Sequence, residues 1–216
     1  FEKWLEQNVG MLSRPEKRQA DKRGSFDALV KELYIDRKYQ ALADKTKKEI
    51  QDNVEFWRQF FHGIFVASIT RTDVETIYYN LLNKKSVFVA NSKLKTLRKL
   101  LNFAIRKQYI MQNPIALFEL EKAPARTSVW NDNAFDALFN TAKQSRFSIA
   151  LAIMLARWTG QRQGDVLNMK WSDIADGHIH VRQHKTGVDV FVTIVPELAF
   201  MLNQARKNNS SDYIII

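Results

Sequence analysis

The chain has 216 residues, 45% of them hydrophobic, no cysteine and a formal net charge of +10. That length suits one large domain or two small ones, and two are expected; the lack of cysteine excludes disulfides, thiol nucleophiles and cysteine zinc sites. No apolar run approaches the length of a bilayer crossing and Phe1-Glu2-Lys3-Trp4 lacks a signal-peptide pattern, so a soluble, non-exported protein is expected. Phe at the start and Ile214-Ile215-Ile216 at the end read as a chain cut at both ends.

The charge is uneven. Residues 1–125 hold 23 Lys/Arg against 15 Asp/Glu, and residues 126–216 hold 10 against 8. A surplus concentrated in the first half suits a domain that meets a polyanion, although many helical proteins are basic for solubility alone.

Residues 1–24 read as a short helix, Phe1 to Val9, and a linker. From Ser25, a capping residue, the spacing of Phe26, Leu29, Val30 and Leu33 predicts a helix. After a polar break over Asp36 to Asp44, a second helix is expected from Lys45 to Phe61, with Ile50, Val54, Trp57 and Phe61 as one stripe and Lys47, Lys48, Asn53 and Arg58 on other faces. Gly63 ends it. Thr70 and Asp73 form a capping-box pattern that opens a third helix to about Leu82. The fourth, Val87 to Lys107, buries Leu94, Leu97, Leu101 and Ala104 and carries a second stripe of Lys95, Arg98, Lys99, Asn102 and Arg106. Asn113-Pro114 stops the chain. Glu121 to Ser128, polar and containing Pro124, is the expected interdomain linker.

Beyond it the pattern changes. Asn131 to Ala142 is amphipathic, Phe147 to Trp158 is apolar on nearly every face and so expected to be buried, and a short helix over Gly164 to Met169 follows the Thr159-Gly160 turn. The period then becomes two: Ile179 and Val181 alternate with His178, His180 and Arg182, and Val190, Val192 and Ile194 alternate with Phe191 and Thr193. A hairpin with Lys185-Thr186-Gly187 at its tip is predicted. Pro196 opens another helix to about Lys207, and Tyr213 to Ile216 is expected to begin a further strand.

Arg157, Arg162 and Asp165 stand within three turns of an apolar helix, where a buried cation needs an anion, internal or bound. Arg162, just past a glycine turn, can project a planar fork of donors suited to phosphate oxygens. Lys185 sits on a short hairpin, and Asp165 is placed to orient Arg162. His178 and His180 share one side of a strand and could join His184 at a metal, but a solvent-facing strand accounts for them without one and no metal is assigned. Trp57, Trp130, Trp158 and Trp171 are read as packing residues.

Thr159-Gly160-Gln161-Arg162-Gln163-Gly164-Asp165-Val166-Leu167, continuing to Lys170-Trp171-Ser172-Asp173-Ile174, resembles the first conserved box of tyrosine recombinases, the phage integrase family. His184-Lys185-Thr186-Gly187, followed by Ile194-Val195-Pro196, is similar to that family's hairpin lysine. Lys45-Thr46, residues 69–74 and Leu100 to Ile105 leading to Asn113-Pro114 resemble the family's core-binding domain. The likeness covers about residues 25–216.

The resemblance implies a mainly α fold with a small β part: a helical, SAM-like core-binding domain over 25–120, a linker over 121–128, and the N-terminal part of a mixed α/β catalytic domain over 129–216. Residues 1–24 would be a helix and linker left from an arm-binding domain. It further implies site-specific recombination for a phage or other mobile element, with DNA integration through a 3′-phosphotyrosyl intermediate and no cofactor. Arg162 would stabilise charge on the non-bridging oxygens, Lys185 would protonate the departing 5′-oxygen, and Asp165 would support Arg162, with Trp171 packing beneath it. Lys47, Lys48, Lys84, Lys85, Lys95, Arg98, Lys99 and Arg106 would contact DNA. Implied partners are duplex DNA, a recombinase tetramer on two duplexes with the domains closing as a clamp, and accessory DNA-bending proteins; the implied location is the cytoplasm, at the nucleoid, with no membrane contact. The family's His-x-x-Arg box and tyrosine nucleophile are absent from this sequence and Tyr213 lacks the motifs that precede a nucleophile, so this polypeptide is expected not to cleave DNA. The alternatives are a non-catalytic DNA-binding regulator on the same scaffold and a type IB topoisomerase-like enzyme.

Overall fold

The computed structural model describes residues 22–125, 127 and 129–216. The helix expected over Phe1 to Val9 lies outside the described residues. The chain divides into two compact units, Phe1–Ala125 and Arg126–Ile216.

The first unit is helical. Helix α1 (Phe26–Ile35) starts where Ser25 Oγ accepts from the Ala28 amide at 3.1 Å. The expected break contains a single turn, α2 (Arg37–Gln40), because Asp36 caps it through the Lys38 amide. Helix α3 (Asp44–Phe61) buries Val54, Trp57 and Phe61. Asn53, expected on another face, is buried too: its Nδ2 donates to Ser92 Oγ at 3.1 Å and Thr96 Oγ1 at 2.9 Å, which satisfies an amide that would otherwise be costly between packed helices. Helix α4 (Arg71–Lys84) opens on the reciprocal Thr70–Asp73 capping box. Helix α5 (Val87–Arg106) buries Leu94, Leu97, Leu101 and Ala104 against Phe26, Trp57 and Ile77 in one core.

One buried charge ties this core together. Asp27, its side chain 1% exposed, accepts from Arg58 Nε at 2.7 Å, the Gly63 amide at 2.7 Å and His62 Nδ1 at 3.0 Å. Burial alone would raise the Asp27 carboxyl; the Gly63 amide, Arg58 and His62 outweigh it and hold it below its ordinary value. The start of α1 is thereby fastened to the end of α3.

The second unit is mixed. Helices α6 (Asp132–Ser145) and α7 (Phe147–Thr159) pack together, followed by α8 (Gln163–Leu167), a 3₁₀ turn at Trp171–Asp173, strands β1 (Ile174–Ala175), β2 (His178–Arg182) and β3 (Asp189–Thr193), and α9 (Pro196–Lys207). The strands form an antiparallel sheet in the order β1-β2-β3 with Ile179 opposite Val192 and Val181 opposite Val190. Asp176 and Gly177, at φ 51° and 73°, make the two-residue turn between β1 and β2.

Two expectations fail here. Helix α7 is not buried on every side: Leu151, Met154 and Leu155 enter the core, while Ile149 and Trp158 are 47% and 38% exposed, because the described neighbours of α7 cover only part of its circumference. Tyr213 to Ile216 begins no strand. Tyr213 makes one bridge to Lys170, and the Trp171 amide and Ile214 amide bond to Asp212 and Met169 carbonyls; the chain after Lys170 curls into its 3₁₀ turn, so the ladder cannot lengthen.

Candidate functional site

The site in the second unit is built at the end of α7. Thr159, buried, donates its Oγ1 to the Leu155 carbonyl at 2.6 Å, and Gly160 ends the helix at φ 63°, a conformation that L side chains disfavour. Two residues on, Arg162 caps α8 with extended backbone and its side chain is 50% exposed. Its Nη1 donates to Gln183 Oε1 at 3.1 Å and lies 3.9 Å from Asp165 Oδ2.

Asp165 is inside, its side chain 4% exposed. Oδ1 accepts from the His184 amide at 2.9 Å, which fastens the hairpin next to Lys185. Oδ2 is buried without a hydrogen-bond partner, and Arg162 is its nearby cation. Lys185 is exposed on the turn after β2. That turn is closed by the Gly187 amide on the Gln183 carbonyl and the Gln183 amide on the Val188 carbonyl, both at 2.8 Å, with Gly187 at φ 70°. Arg162 and Asp165 are thus in contact, and Asp165 is bonded to the neighbour of Lys185. Asp165 also lines a cleft of about 690 Å³ with Lys170, Arg182, Gln183 and His184 among others.

Arg157 is answered internally, by Asp132 at 3.4 Å and by the Phe135 ring at 3.9 Å. Arg206 of α9 lies 4.9 Å from the Trp171 ring, and Trp171 is partly buried against the core of this unit. His178 and His180 face out, His180 against Asp189 at 2.9 Å, and no cluster able to hold a metal occurs among the described residues.

In the first unit residues 76–118 hold eight Lys/Arg and no Asp or Glu. Lys95 and Lys99 are exposed on α5 and line a cleft of about 400 Å³ with Thr46, Glu49 and Phe88. Lys99 and Arg106 line a second, of about 270 Å³, with Lys38 and Tyr39. Arg98 stands apart: it is half-buried, and its guanidinium donates to the Ile115 carbonyl at 3.2 Å and to the Phe118 carbonyl, so it holds the loop after α5. Lys47 pairs with Asp44 at 3.6 Å; Lys48, Lys84 and Lys85 are exposed, the last two at the end of α4.

The sequence profile of the phage integrase family matches residues 130–216, the unit that holds Arg162, Asp165 and Lys185. The match to the phage integrase family thus lies on the second unit. The integrase of Escherichia phage HK022 is 27% identical over 224 residues, covering 98% of this chain and 63% of that protein. The integrase of Escherichia phage lambda is 27% identical over 173 residues, covering 78% of this chain and 49% of that one. The chain therefore spans about half to two thirds of the length of these relatives. In fold it is similar to a lambda integrase tetramer bound to a Holliday junction, with a TM-score of 0.81 at 21% identity over 99% of this chain and 68% of that one.

The site contains residues that the pattern of the sequence did not single out. Gln183 bonds Arg162, accepts from Thr186 Oγ1 at 2.7 Å and donates to Gln161 Oε1 at 2.8 Å. Its position just before the predicted turn was the one available sign.

Proposed function

We propose that this chain is the DNA-binding and part of the phosphoryl-transfer machinery of a site-specific DNA recombinase serving a phage or other mobile element. The observation that carries the reading is the linkage of Arg162, Asp165 and the Lys185 turn. A half-exposed guanidinium is oriented from one side, while a lysine on an adjacent turn can meet a leaving oxygen. A cation aimed at non-bridging oxygens stabilises charge that builds only in the transition state. An ammonium can give its proton to the 5′-oxygen as the bond breaks. The attacking tyrosine and the remaining donors are assigned to the part of the recombinase that these residues do not contain. The exposed lysines of the first unit and Arg106 supply sequence-independent contacts to the DNA backbone. Lambda integrase, of the same fold, is known as a tetramer on a Holliday junction, and a tetramer on two duplexes is the assembly we carry over. No described helix is long and apolar enough to cross a membrane, and a site of action in the cytoplasm at the nucleoid is part of the proposal.

Binding of this chain to duplex DNA tests the first half. Each neutralised phosphate contributes roughly −0.9 to the slope of log K against log salt, and a slope of about −3 to −5 is expected. Binding that does not respond to salt would contradict it. A non-catalytic regulator would bind in the same way, and a covalent DNA complex formed by the full-length protein separates the two.

A further inference from the structure

We propose that Gln183 is a positioning residue for strand cleavage, holding the phosphate-binding edge of Arg162 in register with the turn that carries Lys185. The assignment rests on Arg162 and Lys185 acting as described above. Gln183 serves the site with backbone and side chain together. Its carbonyl and amide close the Lys185 turn at both ends, at 2.8 Å each. Its Oε1 accepts from Arg162 Nη1 at 3.1 Å and from Thr186 Oγ1, inside that turn, at 2.7 Å. Its Nε2 donates to Gln161 Oε1 at 2.8 Å, which fixes which end of the amide faces the arginine. One side chain thereby joins the residue before Arg162, Arg162 itself and the turn.

The amide is neutral, and that decides its use. Asp165 already sets a carboxylate 3.9 Å from the same Nη1. A second carboxylate at 183 would draw the guanidinium inward and cancel the charge offered to a phosphate, whereas an amide oxygen fixes the plane without neutralising it. Both internal contacts of Arg162 fall on Nη1; among the described residues Nε and Nη2 take no hydrogen bond, and these are the donors left for an anion. If Gln183 is removed, the turn keeps its backbone bonds and the His184 amide keeps Asp165, so the change falls chiefly on the aim of Arg162.

The test is the single-turnover rate of covalent complex formation by the full-length recombinase at saturating protein. It is measured on ordinary DNA and on DNA whose scissile phosphate is a methylphosphonate. Replacing a non-bridging oxygen with methyl removes the charge that Arg162 must stabilise, so a defect in aiming Arg162 shrinks on that substrate while a general loss of structure does not. Misplacing a catalytic group by about 1 Å costs roughly 100-fold. Gln183→Ala is expected to slow the reaction on ordinary DNA by about 10- to 100-fold, and on methylphosphonate DNA by a much smaller factor, with DNA affinity unchanged. Gln183→Met, which keeps the length and loses the hydrogen bonds, should behave alike and guards against a folding defect in the alanine variant. An equal deficit on both substrates, or none on either, overturns the role of Gln183. Arg162→Ala, run beside them, tests the underlying reading separately: if it still forms the covalent complex on ordinary DNA, the assignment of Arg162 fails first.

Discussion

Two carboxylates, one in each unit, show opposite uses of a buried charge. Asp27 is enclosed by Arg58, His62 and the Gly63 amide, and both oxygens are taken. Asp165 is as deeply buried, yet its Oδ2 has no hydrogen bond and its cation, Arg162, is half in solvent. The first network spends both oxygens of its acid on holding two helices together. The second leaves donors on its exposed member, and a buried carboxylate kept with one oxygen unbonded is expected to serve something other than stability.

The comparison can be broken most directly at the open end. Lys185→Ala should slow covalent complex formation by the full-length protein by about 100-fold or more, the usual contribution of a general acid, with DNA binding and melting temperature unchanged. A normal rate would detach the hairpin from the chemistry. At the closed end Asp27→Ala removes three bonds at once and leaves Arg58 and the Gly63 amide without their acceptor. A loss of about 2–4 kcal/mol in denaturant unfolding is expected, and a change below about 0.5 kcal/mol, typical of surface sites, would show that the network is ornamental.

Acid sharpens the contrast. Asp27 lies below its ordinary value when folded, so its contribution is complete above the unfolded carboxyl value near 3.9, and is lost as pH falls through the lower, folded value. The wild-type chain should therefore lose more stability than Asp27→Asn as pH drops through that window, and parallel curves would contradict the shift. The smallest expected effect is at Gly160. A Cβ there meets nothing within 4 Å, so Gly160→Ala has only the strain of φ 63° to bear, about 1–2 kcal/mol, in unfolding experiments; no loss at all would mean that the turn relaxes.

Much of this was legible in the residues. The alternation around Lys185-Thr186-Gly187 specifies the hairpin because a period of two admits no helix, and Thr70 with Asp73 marks a helix start because the two side chains cap each other. The Thr159-to-Ile174 box located Arg162 and Asp165 together. Gln183 was not legible, because its partners Gln161 and Arg162 are brought to it by the fold from more than 20 residues away. The partners of Arg98 and Asn53 were hidden for a related reason. Periodicity says which way a side chain leaves its helix, and it does not say that the 115–118 loop folds over one or that α5 packs on the other. Arg206 at the Trp171 ring was not legible either, because α9 brings it there from more than 30 residues away.

The central claim is that the open network acts on DNA phosphate and the closed one only on the fold. The most direct test measures covalent DNA complex and melting temperature for Arg162→Ala and Asp27→Ala in the full-length protein. The account predicts that Arg162→Ala abolishes the covalent complex and leaves the melting temperature near that of wild type, while Asp27→Ala lowers the melting temperature and still forms the complex below it. A covalent complex that survives Arg162→Ala, or a melting temperature that Arg162→Ala lowers as far as Asp27→Ala does, would contradict it.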